Sequence, residues 1–211
     1  RGVFYGWYIV AATSLLTTYL STVVFLGFSL FFVPIRSAFG WSSTATAAAF
    51  SFQRAEGGIV HPIAGLLIDR LGSRIMSLAG IALLGLGLVL LSRITELWQF
   101  YLAFLVVSLG QSIGFYPAFY ASLVNWFRKD RGRALGVMSL GSPLAGFLLP
   151  VLAFLLVKLG WRDTIFLCGI TTWVIGFPLA LVLRPRPEPY GYLPDGDPVQ
   201  PTTGDTAGNS S

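Results

Sequence analysis

The chain has 211 residues, of which 55% are hydrophobic and only 11% charged, with 17 Phe and 6 Trp. So much apolar surface excludes a soluble globular domain. The net charge of +5 does not point to nucleic acid, because the basic residues sit in short loops between apolar runs rather than in one patch.

Six apolar runs approach or exceed the length that crosses a hydrocarbon core about 30 Å thick. They lie at about Trp7–Phe32, Ser43–Ile68, Ile75–Leu91, Leu97–Trp126, Ala134–Val157 and Thr164–Leu183. The predicted fold class is all-α integral membrane, with six transmembrane helices over residues 1–183. The first run is too long for the apolar region of a cleaved signal peptide, and no small-residue cleavage site follows it, so it is expected to remain. Thr13, Thr17, Thr18, Tyr19 and Ser21 stud this run. Such hydroxyls either line a pathway or promote helix packing in lipid.

The second run carries Gln53-Arg54-Ala55-Glu56-Gly57-Gly58-Ile59-Val60-His61. A helix starting at Ser43 reaches Arg54 after a rise of about 16 Å, close to the bilayer midplane. Each charge at that depth costs on the order of 3 kcal/mol, so Arg54 and Glu56 are expected to face protein or a water-filled cavity. At 100° per residue Gln53, Glu56, Gly57 and Val60 share one face, Arg54, Gly58 and His61 the next, while Ala55, Ile59 and Pro62 point away. Two readings stand side by side. In one, Arg54 holds a substrate carboxylate and Glu56 takes a coupling proton. In the other, the two charges satisfy each other or partners on other helices. His61, about ten ångströms further toward the cytoplasm, suits a proton relay or a structural role.

After the second run comes a charged hinge, Gly65-x-x-x-Asp69-Arg70-x-Gly72-x-Arg74. Its glycines permit a tight turn, and Asp69 suits pairing with a cation or capping of a helix N-terminus. The fourth run holds Gln111, Tyr116 and Tyr120 and ends in a basic loop, Trp126-Phe127-Arg128-Lys129-Asp130-Arg131-Gly132-Arg133-Ala134-Leu135-Gly136. Gly136, Gly141 and Gly146 read as close-packing points, and Pro62, Pro117, Pro143, Pro150 and Pro178 as kinks. Cys168 and His61 are the sole residues of their kinds and lie in separate helices, so no disulfide, metal or other cofactor is expected.

Residues 184–211 turn to Pro, Gly, Asp, Ser and Thr and read as a disordered cytoplasmic linker. The chain begins with Arg1 and stops within that linker, which reads as a piece of something longer. With the N-terminus inside, nine Lys and Arg (Arg1, Arg70, Arg74, Arg128, Lys129, Arg131, Arg133, Arg184, Arg186) face Arg36, Arg93, Lys158 and Arg162 outside. That bias predicts a multi-pass protein of the plasma (inner) membrane with both ends cytoplasmic. A shift of 87 residues lays Gly27-Phe28 on Gly114-Phe115, Phe32 on Phe119 and Phe39 on Trp126. These pairs sit near opposite membrane faces, as an inverted three-helix repeat requires.

The hinge resembles the loop signature of the major facilitator superfamily in pattern and position. There such a loop latches the outward-open state, which the resemblance implies for Gly65, Asp69, Arg70, Gly72 and Arg74. The plainer alternative is that Arg70 and Arg74 only anchor the loop to the cytoplasmic face. The run from Trp126 to Gly136, with Arg128, Lys129 and Arg131, followed by Gly141-Ser142 and Gly146, is similar to the fourth-loop and fifth-helix signature of monocarboxylate and oxalate/formate-type facilitators. Tyr5-Gly6-Trp7 and Gly160-Trp161-Arg162 suit the same branch. Phe4-Tyr5 stands where animal monocarboxylate transporters carry an acidic residue, and the first run lacks lysine, so a bacterial-type relative is expected. The Arg-x-x-Gln-Gly element of drug/proton antiporters is absent around Gln111.

The resemblance implies the N-terminal six-helix half of that fold, built as two three-helix inverted repeats. It implies a secondary carrier of small organic anions working by alternating access, with a coupled proton as possible co-substrate and a missing C-terminal six-helix half as partner. Alternatives are a carrier for another small solute and a six-helix accessory or solute-binding subunit. An intramembrane serine protease is disfavoured, because Ser142 is followed by Pro143 and no second histidine exists. No enzyme activity is expected.

Overall fold

The computed structural model describes residues 4–190, 193 and 195, the side chains of residues 50 and 188 excepted. Arg1 and most of the linker, residues 191–192, 194 and 196–211, lie outside the described residues. Every regular element among the described residues is helical. Where lipid replaces water, a helix satisfies its backbone hydrogen bonds internally, which suits so apolar a chain.

α1 (Tyr5–Leu20) passes through a π-helical turn (Ser21–Leu26) into α2 (Gly27–Phe39), which ends on Gly40 in the left-handed conformation, φ 66°. α3 (Ser43–Leu71) starts where the Ser42 hydroxyl accepts from the Ala45 N–H at 3.1 Å, a standard N-cap. Gly72, at φ 84°, ends it and opens α4 (Ser73–Ser92). The hinge glycine thus supplies the turn expected of it, since a side chain at that φ is strained. α5 (Leu97–Gly114) breaks at Phe115 before α6 (Tyr116–Trp126), with Pro117 in the first turn of the new helix, where it is tolerated. α7 (Arg131–Ser139) and α8 (Gly141–Val182) follow.

α8 is not one rod. Gly160 inside it stands at φ 81°, ψ 171°. Thr22 Oγ1 donates to the Ala145 carbonyl at 3.2 Å, and Tyr19 Oη, one turn earlier, donates to the Cys168 carbonyl at 3.1 Å. A straight helix would place residues 145 and 168 about 35 Å apart. The chain therefore doubles back at Gly160, and two arms, residues 141–159 and 161–182, lie against α1. Helix continues through Pro62, Pro150 and Pro178, so of the expected kinks only Pro117 and Pro143 follow an interruption, at Phe115 and at Leu140.

Among the described residues four helical stretches are long and apolar enough to cross a membrane: Tyr5–Phe39, Ser73–Ser92, Leu97–Trp126 and Arg131–Val182. α3 has 29 residues, about 43 Å of helix, and is set apart by its charges rather than by length. α4 packs on α5 and on α8, α1 packs on α8, and α3 rests mainly on α5. The α4–α5 seam is glycine-lined. A Cβ at Gly80 would collide with Gly114 Cα, and one at Gly110 would lie 2.6 Å from the Leu84 nitrogen. Gly141 is a close-packing point as expected, since its Cβ would lie 2.6 Å from the Ser14 carbonyl. Gly136 and Gly146 are not, because nothing stands within 4 Å of where their Cβ would be; the face each presents is open.

Aromatic clusters close both ends. Trp7 meets Phe127 at 5.4 Å between ring centroids, and Tyr5 meets Trp126 at the same distance. At the other end Trp161 meets Phe39 at 6.0 Å and Phe39 stacks on Trp41 at 4.5 Å. The Tyr-Gly-Trp and Gly-Trp elements thus have packing roles. Gly6 has no room for a Cβ, which would lie 2.8 Å from Phe127.

Candidate functional site

α3 projects two of its polar residues at α5. Gln53 Nε2 donates to Gln111 Oε1 on α5 at 2.9 Å. One turn on, Glu56 Oε2 accepts from Ser108 Oγ and, at 3.2 Å, from Ser112 Oγ, both on α5. Glu56 Oε1 is buried with no hydrogen-bond partner among the described residues. Glu56 and Arg54 do not pair with each other. Arg54 is exposed on the adjacent face and makes neither an ion pair nor a hydrogen bond among the described residues.

A cavity of about 550 Å³ opens beside these residues. Gln53, Arg54, Gly58 and His61 from α3 line it, with Gln111 and Ser112 from α5 and Tyr116 from α6. Phe25, from the π-helical turn of the first helix, closes its far wall. His61 folds back along α3, and a Cβ at Gly57 would lie 3.3 Å from its Cε1, so Gly57 leaves room for the ring. One guanidinium, one imidazole, amides and a phenol therefore converge on a single concave space. Guanidinium geometry suits a carboxylate gripped by two parallel hydrogen bonds.

Of the residues singled out in sequence, the structure brings Gln53, Arg54, Glu56, His61, Gln111 and Tyr116 to this one place. Tyr19 is elsewhere. Its hydroxyl is 2.6 Å from Thr171 Oγ1 and donates to the Cys168 carbonyl, tying α1 to the second arm of α8. Ser108, Ser112 and Phe25 went unnoticed in the sequence, because a serine or phenylalanine in an apolar helix carries no signal of its own.

The two charged loops form a separate region. Asp69, Arg70 and Gly72 border a polar cavity of about 510 Å³ with Asn125, Pro185 and Arg186. Ser73 and Ser122 meet through their hydroxyls at 2.6 Å. Gly65 lies within α3 with open space on its side, and Arg74 is half-buried. Arg131 donates to the Phe127 carbonyl at 3.3 Å and the Val124 carbonyl at 3.2 Å, sealing the end of α6. Arg128 and Lys129 are exposed.

Residues that read as a loose linker are held here. Asn125 Nδ2 donates to the Pro185 carbonyl at 2.9 Å and Trp126 Nε1 to the Arg184 carbonyl at 2.8 Å. The Arg184 guanidinium lies 4.0 Å from the ring centroids of both Tyr5 and Tyr190. The Asp195 carboxylate accepts from the backbone N–H of Arg128, Lys129 and Asp130, the shortest bond being 2.8 Å from Lys129. Slight burial pushes this carboxyl up, and the N–H groups of Lys129, Arg128 and Asp130, with the Lys129 charge, outweigh that and hold it below the usual range.

Comparison with known proteins follows from this architecture. The sequence profile of the Major Facilitator Superfamily matches residues 3–203. An MFS-type transporter of Gibberella moniliformis is 32% identical over 133 residues, 62% of this chain and 32% of the relative. Monocarboxylate transporter 11 of Mus musculus is 30% identical over 199 residues, 93% of this chain and 42% of the relative. Among solved structures, a bacterial homolog of the human lysosomal transporter Spinster, inward-facing and unoccupied, superposes with a TM-score of 0.72 at 19% identity, covering 99% of this chain and 48% of its own. This chain spans less than half the length of each of these three proteins.

Proposed function

The chain belongs to the Major Facilitator Superfamily, and from that premise we propose that it forms the N-terminal six-helix half of a secondary carrier that moves a small organic anion by alternating access. The four long apolar stretches support membrane placement. The fold-back at Gly160 and the length of α3 support six spans. Two three-helix repeats are supported by the irregularities at matching places: the π turn ends just before Gly27-Phe28, and the second irregular helix breaks at Gly114-Phe115. The excess of Lys and Arg in the proposed inner loops supports cytoplasmic ends in the plasma (inner) membrane.

The observation that carries the anion reading is Arg54: a guanidinium at about midplane depth, turned into a cavity and unpaired with Glu56. A permanently buried structural arginine would need its own anion, because an unpaired charge there is costly. Glu56 is the coupling-proton site in this reading, its Oε1 free to take the proton while the two serines hold Oε2. The Gly65 to Arg74 loop latches the outward-open state against the C-terminal half, which completes the pathway. Both named relatives are transporters, which supports transport rather than catalysis at this site.

The test is binding of a labelled monocarboxylate to the complete gene product. Arg54→Gln is expected to weaken it ten- to a hundredfold, the worth of a charged hydrogen bond, roughly 1.5–3 kcal/mol. Unchanged affinity in a folded variant overturns the assignment.

A further inference from the structure

Gln53 stands between two cavities. On one side lies the polar cavity of Arg54 and His61. On the other, between α3 and α5, lies an apolar groove of about 320 Å³ walled by Ala49, Phe52, Tyr101, Leu102 and Leu105. Two polar rungs separate the spaces, Gln53 to Gln111 and Glu56 to Ser108 and Ser112. Ser108 reaches the groove and Ser112 the polar cavity, so the rungs touch both.

The groove is open along its outer side, where Phe52 and Leu102 are 63% and 53% exposed, and its volume exceeds the roughly 150 Å³ that holds a benzene ring. A two- or three-carbon acid has no need of it, because the polar cavity alone accommodates such a molecule. Both rungs are made by side chains, and Gln53 and Gln111 are long enough to clear the passage by changing rotamer.

We propose that the transported anion is amphipathic, with its carboxylate in the polar cavity at Arg54 and an aryl or branched alkyl tail in the groove beyond the Gln53–Gln111 rung. This rests on the carboxylate reading above. The polar head fixes orientation, and the tail supplies apolar burial, the usual division of labour in a small-molecule site.

The experiment compares propionate, phenylbutyrate and the methyl ester of phenylbutyrate for binding to the complete gene product in nanodiscs. Phenylbutyrate is expected to bind at least about tenfold tighter than propionate, given about fourfold per buried methylene. The ester, lacking the charge, is expected not to compete. Leu105 and Leu102 are 39% and 53% exposed at the groove, so tryptophan is tolerated at either. L105W, or L102W should the first fail to fold, is expected to weaken phenylbutyrate about fivefold or more and leave propionate unchanged. Equal affinity for the two acids, both lost in Arg54→Gln, removes the tail and keeps the carboxylate reading. A tail preference that survives both tryptophan variants also overturns the proposal, since the tail then lies outside the groove. Binding of both acids undisturbed by Arg54→Gln removes the carboxylate reading and the tail with it.

Discussion

Among the described residues Glu56 holds two serine hydroxyls on one oxygen and nothing on the other, in a helix that also carries an arginine without a partner one face away. That asymmetry separates two jobs that a sequence cannot separate. A carboxylate present only for packing would be replaceable by glutamine, which keeps the acceptor for Ser108 and Ser112 and adds an amide donor. A proton carrier would not be. Glu56→Gln is therefore expected to leave solute exchange within about twofold of the original while abolishing uptake driven by a pH gradient, because only the titrating step is removed. Driven uptake retained alongside exchange in Glu56→Gln would return Glu56 to a structural role. The pairing of Gln53 with Gln111, by contrast, was legible only as two polar residues in apolar helices. Their meeting depends on how α3 rotates against α5, which no single-helix pattern records.

At the scale of elements, breaks were easier to read than seams. Gly72 and Gly160 both lie where the polarity pattern requires a reversal, and both take positive φ. The π turn at Ser21–Leu26 had no such signature, being free of charge, glycine and proline. Nor did Gly80 and Gly110 stand out among 24 glycines, because only the approach of α4 to α5 distinguishes them. Close backbone approach through small residues is a main source of helix association in lipid. Gly80→Val should thus cost about 1–3 kcal/mol by overpacking, read as a lower thermal midpoint in detergent, whereas Gly146→Val, with open space, should leave the midpoint nearly unchanged. The loop after α6 offers a pH test. Asp195 has its folded pKa lowered, so its capping of Arg128, Lys129 and Asp130 is complete above the ordinary carboxylate range and is lost as pH falls through the lowered value. Protection against hydrogen exchange at those three amides, relative to the intrinsic rate at each pH, should be high at neutral pH and fall below the usual aspartate range, and Asp195→Asn should show low protection throughout. Equally low protection in the original protein at neutral pH would show the cap to be absent in solution.

For the whole molecule, the decisive fact is how much of α3 has no neighbour. Arg54, Ile59, His61, Ile63 and Leu66 are all exposed along it, a mixture that neither lipid nor water suits: lipid rejects Arg54, and water rejects the isoleucines. A second helical body lining an aqueous pathway satisfies both, covering the apolar residues and leaving the arginine facing the lumen. Relatives more than twice as long as this chain have room for such a body. The 211 residues alone, reconstituted in liposomes, are accordingly expected to give no carboxylate uptake above protein-free vesicles, and the complete gene product to give saturable uptake under the same gradient. If the 211 residues alone transport, cross-linking through a cysteine introduced at Ile59 should yield dimers, because a second copy must then cover the face. Transport without such dimers would mean that α3 faces lipid, and the cavity at Arg54 would lose its claim to be the pathway.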